Sequence, residues 1–277
     1  MKATSIYTSL RLGEGPLFIK EINTLLWVDI TDCKVYSLQL ETKEKKIYSL
    51  PDTVGAIVPY KLPIIICCVG DSLCYLNLET SKIEKTVKIF DNPVLRFNDG
   101  KCDKYGNLWV GTMSRAYNDK TSYKKGSLYC IKNDEIIKEY TGFSIPNGMG
   151  WIDNQFYHVD TIDKCIYRYT VKDECILINK EEYIKLKDEP DGMCIDRENN
   201  LWVALWNKGK VIAINNKNII DEVIVDNIHS SCITFGDTNF NSIFITAAED
   251  DEYKKNGALY MIKSKYKGLP PFSYRTK

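Results

Sequence analysis

The chain has 277 residues, with Lys+Arg and Asp+Glu both at 37 and a formal net charge of zero. That balance argues against a broad electrostatic partner, so neither nucleic acid nor an anionic membrane surface is expected. No apolar run approaches the ~20 residues a membrane helix needs, which excludes a helical membrane anchor and leaves one domain over residues 1–277 as the expectation.

Residues 1–15 lack the apolar stretch of a secretory signal, so the protein is expected in the cytoplasm. Beyond them, six short apolar runs share one outline: turn residues, an aromatic or β-branched core, then a small or acidic residue. In chain order they are Leu26-Trp27-Val28-Asp29, Ile65-Ile66-Cys67-Cys68, Leu108-Trp109-Val110-Gly111, Phe156-Tyr157-His158-Val159-Asp160, Leu201-Trp202-Val203-Ala204 and Ile243-Phe244-Ile245-Thr246. Their spacing of roughly 40–48 residues is that of a four-stranded propeller blade. A second run follows most of them, as in Val35-Tyr36-Ser37-Leu38 and Leu259-Tyr260-Met261-Ile262. The pattern predicts an all-β chain folded as a six-bladed β-propeller, whose radial closure protects its strand edges.

Ten cysteines are present, without any C-x-x-C pair and mostly inside apolar runs. They read as reduced core thiols. His158 stands two residues before Asp160, and a hydrogen-bonded core histidine is expected there. The tryptophans read as blade core, except Trp206, which follows its strand and is expected in a loop.

Four polar residues stand beside Gly or Pro where a chain segment leads into an apolar strand: Glu14, Asn98, Asn147 and Asp191. Such pairs also serve simply as turn formers. Four of them opening different blades would instead aim oxygen ligands at the central axis. Oxygen donors suit hard cations such as Ca²⁺, Mg²⁺ or Mn²⁺, and two histidines in the whole chain make a histidine-rich site improbable. Asp99 and Asp103 are expected to stabilise their loop, and Asp29 and Asp160 to serve structure.

The segments LGEGP (12–16), RFNDGKCDKYGNLWVGTM (96–113), IPNGMGW (145–151), PDGMCIDRENNLWVALWNKGKV (190–211) and KGLPPFSY (267–274) carry a resemblance. The sequence resembles the SMP-30/gluconolactonase/luciferin-regenerating-enzyme family. The resemblance implies a six-bladed propeller with one divalent cation on its axis, Ca²⁺ first, with Zn²⁺, Mn²⁺ and Mg²⁺ as alternatives. It places metal ligands on Glu14, Asn147 and Asp191, substrate contacts on Arg96 and Asn98, and the proton donor and acceptor on Asp191. It implies hydrolysis of a small-molecule sugar lactone, with the cation as Lewis acid. The SMP-30 branch places a substrate-binding glutamate three residues after its Gly-Thr-Met. Here that position is Ala116, and Tyr117, Asn118 and Asp119 follow it. A calcium-binding regulatory propeller with little activity is therefore the second reading. A protein-interaction propeller ranks below both, because the G-H…W-D signature is missing. A monomer or weak dimer is expected.

Overall fold

The structure, a computed structural model, describes residues 1–116 and 119–277. Its described residues form six separate four-stranded antiparallel sheets and no α-helix. Each of the six apolar runs lies in the second strand of one sheet, and these strands are almost wholly buried. Their alternating side chains supply both faces of a blade, which is why runs such as Leu-Trp-Val are apolar throughout. Blades 1 to 5 span residues 13–49, 54–88, 95–143, 146–185 and 189–224. Blade 6 takes its inner three strands from residues 230–263 and its outermost from Thr4–Leu10, so the N-terminal strand latches the ring. Sheets arranged this way around one axis make a six-bladed β-propeller.

The first strand of every blade is innermost, and each packs on the first strand of the next blade until the ring closes. Closure is tight. A Cβ on Gly148 would lie 2.5 Å from the Met193 backbone nitrogen, so only glycine fits there. Residues 269–272 cover one end of the axis, against Asp99, Lys101, Cys194 and Cys232. Tyr274 is fully buried beyond them, its N–H donating to the Pro59 carbonyl at 2.8 Å.

Blades 3 and 5 repeat one device. Asp196 accepts from the N–H groups of Glu198 and Asn200 (both 2.9 Å), from Asn200 Nδ2 and from Trp202 Nε1 (both 2.8 Å). Asp103 does the same for Tyr105, Asn107 and Trp109. One carboxylate thus ties the hairpin turn to the buried indole of the second strand. In blade 1 the residue six before Trp27 is Glu21, exposed in a short 3-10 turn, and the Trp27 indole N–H has no partner. Asp196→Ala would strand three backbone or side-chain donors and the indole. It is expected to lower unfolding free energy by about 3 kcal/mol or more, read as a drop in the urea midpoint at unchanged m-value.

Two core expectations are corrected. Cys130, in the third strand of blade 3, is joined to Cys175, in the outer hairpin of blade 4, by a disulfide, with Cα atoms 5.6 Å apart. Sequence separation hides this approach, because the two residues meet only when neighbouring blades pack. The other eight cysteines are free. His158 is fully buried as expected, but neither ring nitrogen has a hydrogen-bond partner. It packs against Phe143 and Phe156 instead, and burial together with Lys180 pushes its pKa down to about 3. Among the described residues no helix is long and apolar enough to cross a membrane.

Candidate active site on the propeller axis

Every inner strand loses register with its neighbour at one place; in blades 1, 3, 4 and 5 this falls between Glu14 and Leu17, Phe97 and Gly100, Pro146 and Met149, and Pro190 and Met193, and in blades 2 and 6 between Val54 and Ala56 and between Ser230 and Cys232. Asn98, Asn147 and Asp191 sit in these irregularities, and Glu14, still paired with Val28, stands where one begins. They therefore lie inside the inner strands, not in the turns before them. A bulge re-aims a side chain out of the pleat, here toward the axis, where the regular alternation would bury it against a neighbouring blade. Gly15, with φ +49°, supplies the left-handed backbone that the first of these bends requires.

The four residues and Arg96 line one cavity of about 280 Å³ at the end of the axis opposite the C-terminal cover. All five are buried. A hydrogen-bond chain joins Arg96, Asn98 and Asn147. Arg96 donates to the Phe97 carbonyl (2.8 Å) and to Asn98 Oδ1 (3.1 Å). Asn98 Nδ2 donates to Asn147 Oδ1 (2.8 Å) and to the Pro146 carbonyl (3.0 Å). Asn147 Nδ2 donates to Thr161 Oγ1 (2.9 Å), whose hydroxyl donates to the Pro190 carbonyl beside Asp191 (2.8 Å). Thr161 thereby fixes which end of the Asn147 amide carries oxygen. No residue-type pattern marked Thr161 in the sequence; only its place after Asp160, at the end of a second strand, connects it to the site.

Asp29 and Asp160 hold the strands that deliver the ligands. Asp29 accepts from the N–H groups of Arg11 (2.7 Å) and Leu12 (3.2 Å), two residues before Glu14. Asp160 accepts from Ser144 (2.9 Å) and Ile145 (3.3 Å), two residues before Asn147. Trp206 lines the cavity, its ring stacked on His229 at 4.7 Å. Ala116 is not among the lining residues, and the preceding Arg115 turns away to pair with Asp52 at 2.6 Å. Tyr117 and Asn118, weighed as substitutes for the missing glutamate, lie outside the described residues. Asp119 instead caps the following turn, accepting from Thr121. Glu189 on the rim was not singled out in the sequence; nothing but its place beside Pro190 marked it.

Asp99 was expected only to stabilise its loop. Its Oδ1 does accept from Gly100 N–H at 2.7 Å, but its Oδ2 is buried without a partner. Glu14, Asp99 and Asp191 are thus three buried carboxylates close enough to repel one another. Burial, and then the Asp99 charge, push Glu14 up to about 8. Burial, then Glu14 and Asp99, hold Asp191 well above the usual carboxylate range. Asp99 is raised by burial and partly relieved by Lys101. Among the described residues no three His, Cys, Asp or Glu side chains form a metal-holding group, so a cation here would need the Asn147 amide oxygen beside two carboxylates. Two carboxylates and an amide are hard oxygen donors, and excess buried negative charge is what a dication offsets, so the residues fit one.

A family model for the SMP-30/Gluconolactonase/LRE-like region matches residues 12–249. Regucalcin of Xenopus laevis is 31% identical over 290 residues, covering 95% of each chain. Among solved structures, a calcium-binding protein, regucalcin of Agrobacterium tumefaciens, superposes with a TM-score of 0.91 at 24% identity, covering 99% of this chain and 98% of that one. A gluconolactonase of Xanthomonas campestris superposes with a TM-score of 0.77 at 17% identity, covering 94% and 89%. At these identities the solved structures speak for the fold alone.

Proposed function

This chain belongs to the SMP-30/gluconolactonase/LRE-like family, a membership that carries sugar-lactone hydrolysis at the level of the family, and on that premise we propose that its axial cavity hydrolyses a small lactone with one divalent cation held by Glu14, Asn147 and Asp191. The observation that carries the reading is the convergence of these three oxygen donors with Arg96 and Asn98 in one buried cavity. When bound, the cation would supply Lewis acidity toward the carbonyl and lower the pKa of water.

The remaining chemistry belongs to side chains. A lactone opens when water adds to the carbonyl carbon and the bond from that carbon to the ring oxygen breaks. The Asp191 carboxylate takes the proton from the attacking water and returns it to the departing ring oxygen, leaving a hydroxy acid. The Arg96 guanidinium, its plane fixed by Phe97 and Asn98, presents permanent positive charge to the developing oxyanion. Asn98 donates its two N–H groups to the Pro146 carbonyl and Asn147, and its Oδ1, already accepting from Arg96, has a lone pair left to accept from a substrate hydroxyl. Burial of these side chains strengthens each of these interactions.

The test is a panel of lactones assayed with Ca²⁺, Zn²⁺, Mn²⁺ and Mg²⁺ in turn against chelator-treated protein. Cation-dependent turnover is expected. Cation binding without turnover of any lactone would favour the second reading, a calcium-binding regulatory propeller, which the missing carboxylate at Ala116 supports. A monomer or weak dimer in the cytoplasm, folded as one domain, goes with either reading.

A further inference from the structure

The cavity is divided by polarity. Its floor is polar, made of Glu14, Arg96, Asn98, Asn147, Thr161 and Asp191. The rest of the lining is mainly aliphatic and aromatic: Leu12 just before blade 1 and Ile30 within it, Met113 and Tyr123 from blade 3, Ile145 just before blade 4 and Ile162 within it, and Trp206 from blade 5. Leu12, Ile145, Ile162 and Trp206 are only partly buried, so their exposed surface faces the mouth. Stacking on His229 holds the Trp206 ring as a wall. Glu189 is the one carboxylate on the lining above the floor among the described residues, and it is already engaged by Asn207 Nδ2 (3.2 Å) and Lys164 (3.8 Å). Position 116, beside this mouth in the chain, carries a methyl group and contributes nothing to the lining.

A polyhydroxylated lactone needs hydrogen-bond partners all round its ring. Seated on this floor, its outer hydroxyls would face a lining that is apolar apart from the Tyr123 hydroxyl and the already engaged Glu189, and most would lose water without replacement, a cost that discriminates strongly. An alkyl chain in the same place gains from burial, up to about fourfold in affinity per methylene. We propose that the mouth of this cavity selects lactones bearing an aliphatic substituent over polyhydroxylated aldonolactones, with the lactone ring on the polar floor and the chain against Ile162 and Trp206. The inference rests on the lactone-binding reading of the same site.

The experiment measures binding and turnover separately. Calorimetric affinities, with Ca²⁺ present, are taken for three non-hydrolysable lactams: D-glucono-1,5-lactam, δ-valerolactam and 6-pentyl-δ-valerolactam. The corresponding lactones are assayed for kcat/KM. The pentyl lactam is expected to bind at least about tenfold tighter than either of the others. Trp206→Ala and Ile162→Asn are each expected to shrink that margin while near-native Tm shows the fold intact. A glucono-lactam that binds as tightly as the pentyl compound overturns the proposal, as does a margin that both variants leave unchanged. A preserved lactam margin with no lactone turnover under any cation leaves the mouth assignment standing and removes the hydrolytic reading alone.

Discussion

Asp191→Ala is expected to reduce lactone turnover by about a thousandfold or more and to weaken cation binding by more than about a hundredfold. Both effects have one origin, because the same carboxylate lies at the metal position and at the proton-transfer position. Asp191→Asn separates them. It keeps a side-chain oxygen but cannot accept the proton from water, so it should retain part of the cation affinity and lose the turnover. Unfolding will not explain the loss. Asp191 is one of three mutually repelling buried carboxylates, so its removal should raise, not lower, the Tm of the chelator-treated protein. Calorimetric titration with Ca²⁺ and Mn²⁺, initial rates and a melting curve suffice. An Asp191→Ala protein that still turns over lactone at a tenth of the wild-type rate would remove Asp191 from the mechanism.

The architecture was legible because its signal repeats. Six apolar second strands, each almost wholly buried, must read as apolar runs wherever a blade is sandwiched between two others, and residues such as Trp27, Trp109 and Trp202 announce them. The latch was not legible. Thr4–Leu10 is a half-exposed outer strand with weak alternation, and its partner Gly257–Lys263 lies at the other end of the chain. The site was visible through Gly- and Pro-flanked polar residues, but their placement was misread by one element. The same dipeptides serve turns and bulges, and only the pairing register distinguishes them. Thr161 and Asp99 escaped for a different reason. Each acts through contacts far along the chain, Thr161 through Asn147 of its own blade and the Pro190 carbonyl of blade 5, Asp99 through the charges of Glu14 and Asp191 on blades 1 and 5. Nothing local in the sequence records such a contact. The Cys130–Cys175 bridge and the unbonded His158 ring share that origin, since both are settled where blades 3 and 4 meet or within their buried aromatic packing.

The axial carboxylates also set a pH dependence of stability whose sign depends on the cation. Glu14 moves from an ordinary value near 4.5 to about 8 in the fold, and Asp191 moves in the same direction. The folded state therefore holds protons that the unfolded chain has released. Stability from these groups is fully present below the ordinary carboxylate value and is lost as pH rises through about 8, at about 1.4 kcal/mol per pH unit for each proton so held. His158 acts in the opposite direction at lower pH. Its folded pKa near 3 lies below the ordinary 6.5, so it adds stability as pH rises through that interval and adds nothing further above it. Between pH 6.5 and 8 the carboxylates act without that opposition. Chelator-treated protein should lose several degrees of Tm across this window, while protein saturated with a divalent cation should stay flat. The cation replaces the protons as the counter-charge, so its stabilising effect grows with pH as binding ceases to compete with protonation. Glu14→Gln removes one of the three charges and should reduce the slope of the chelated protein. A chelated wild-type Tm that holds steady or climbs from pH 6.5 to 8 would show that these carboxylates do not share a buried, repulsive axis, and the case for a cation among them would go with it.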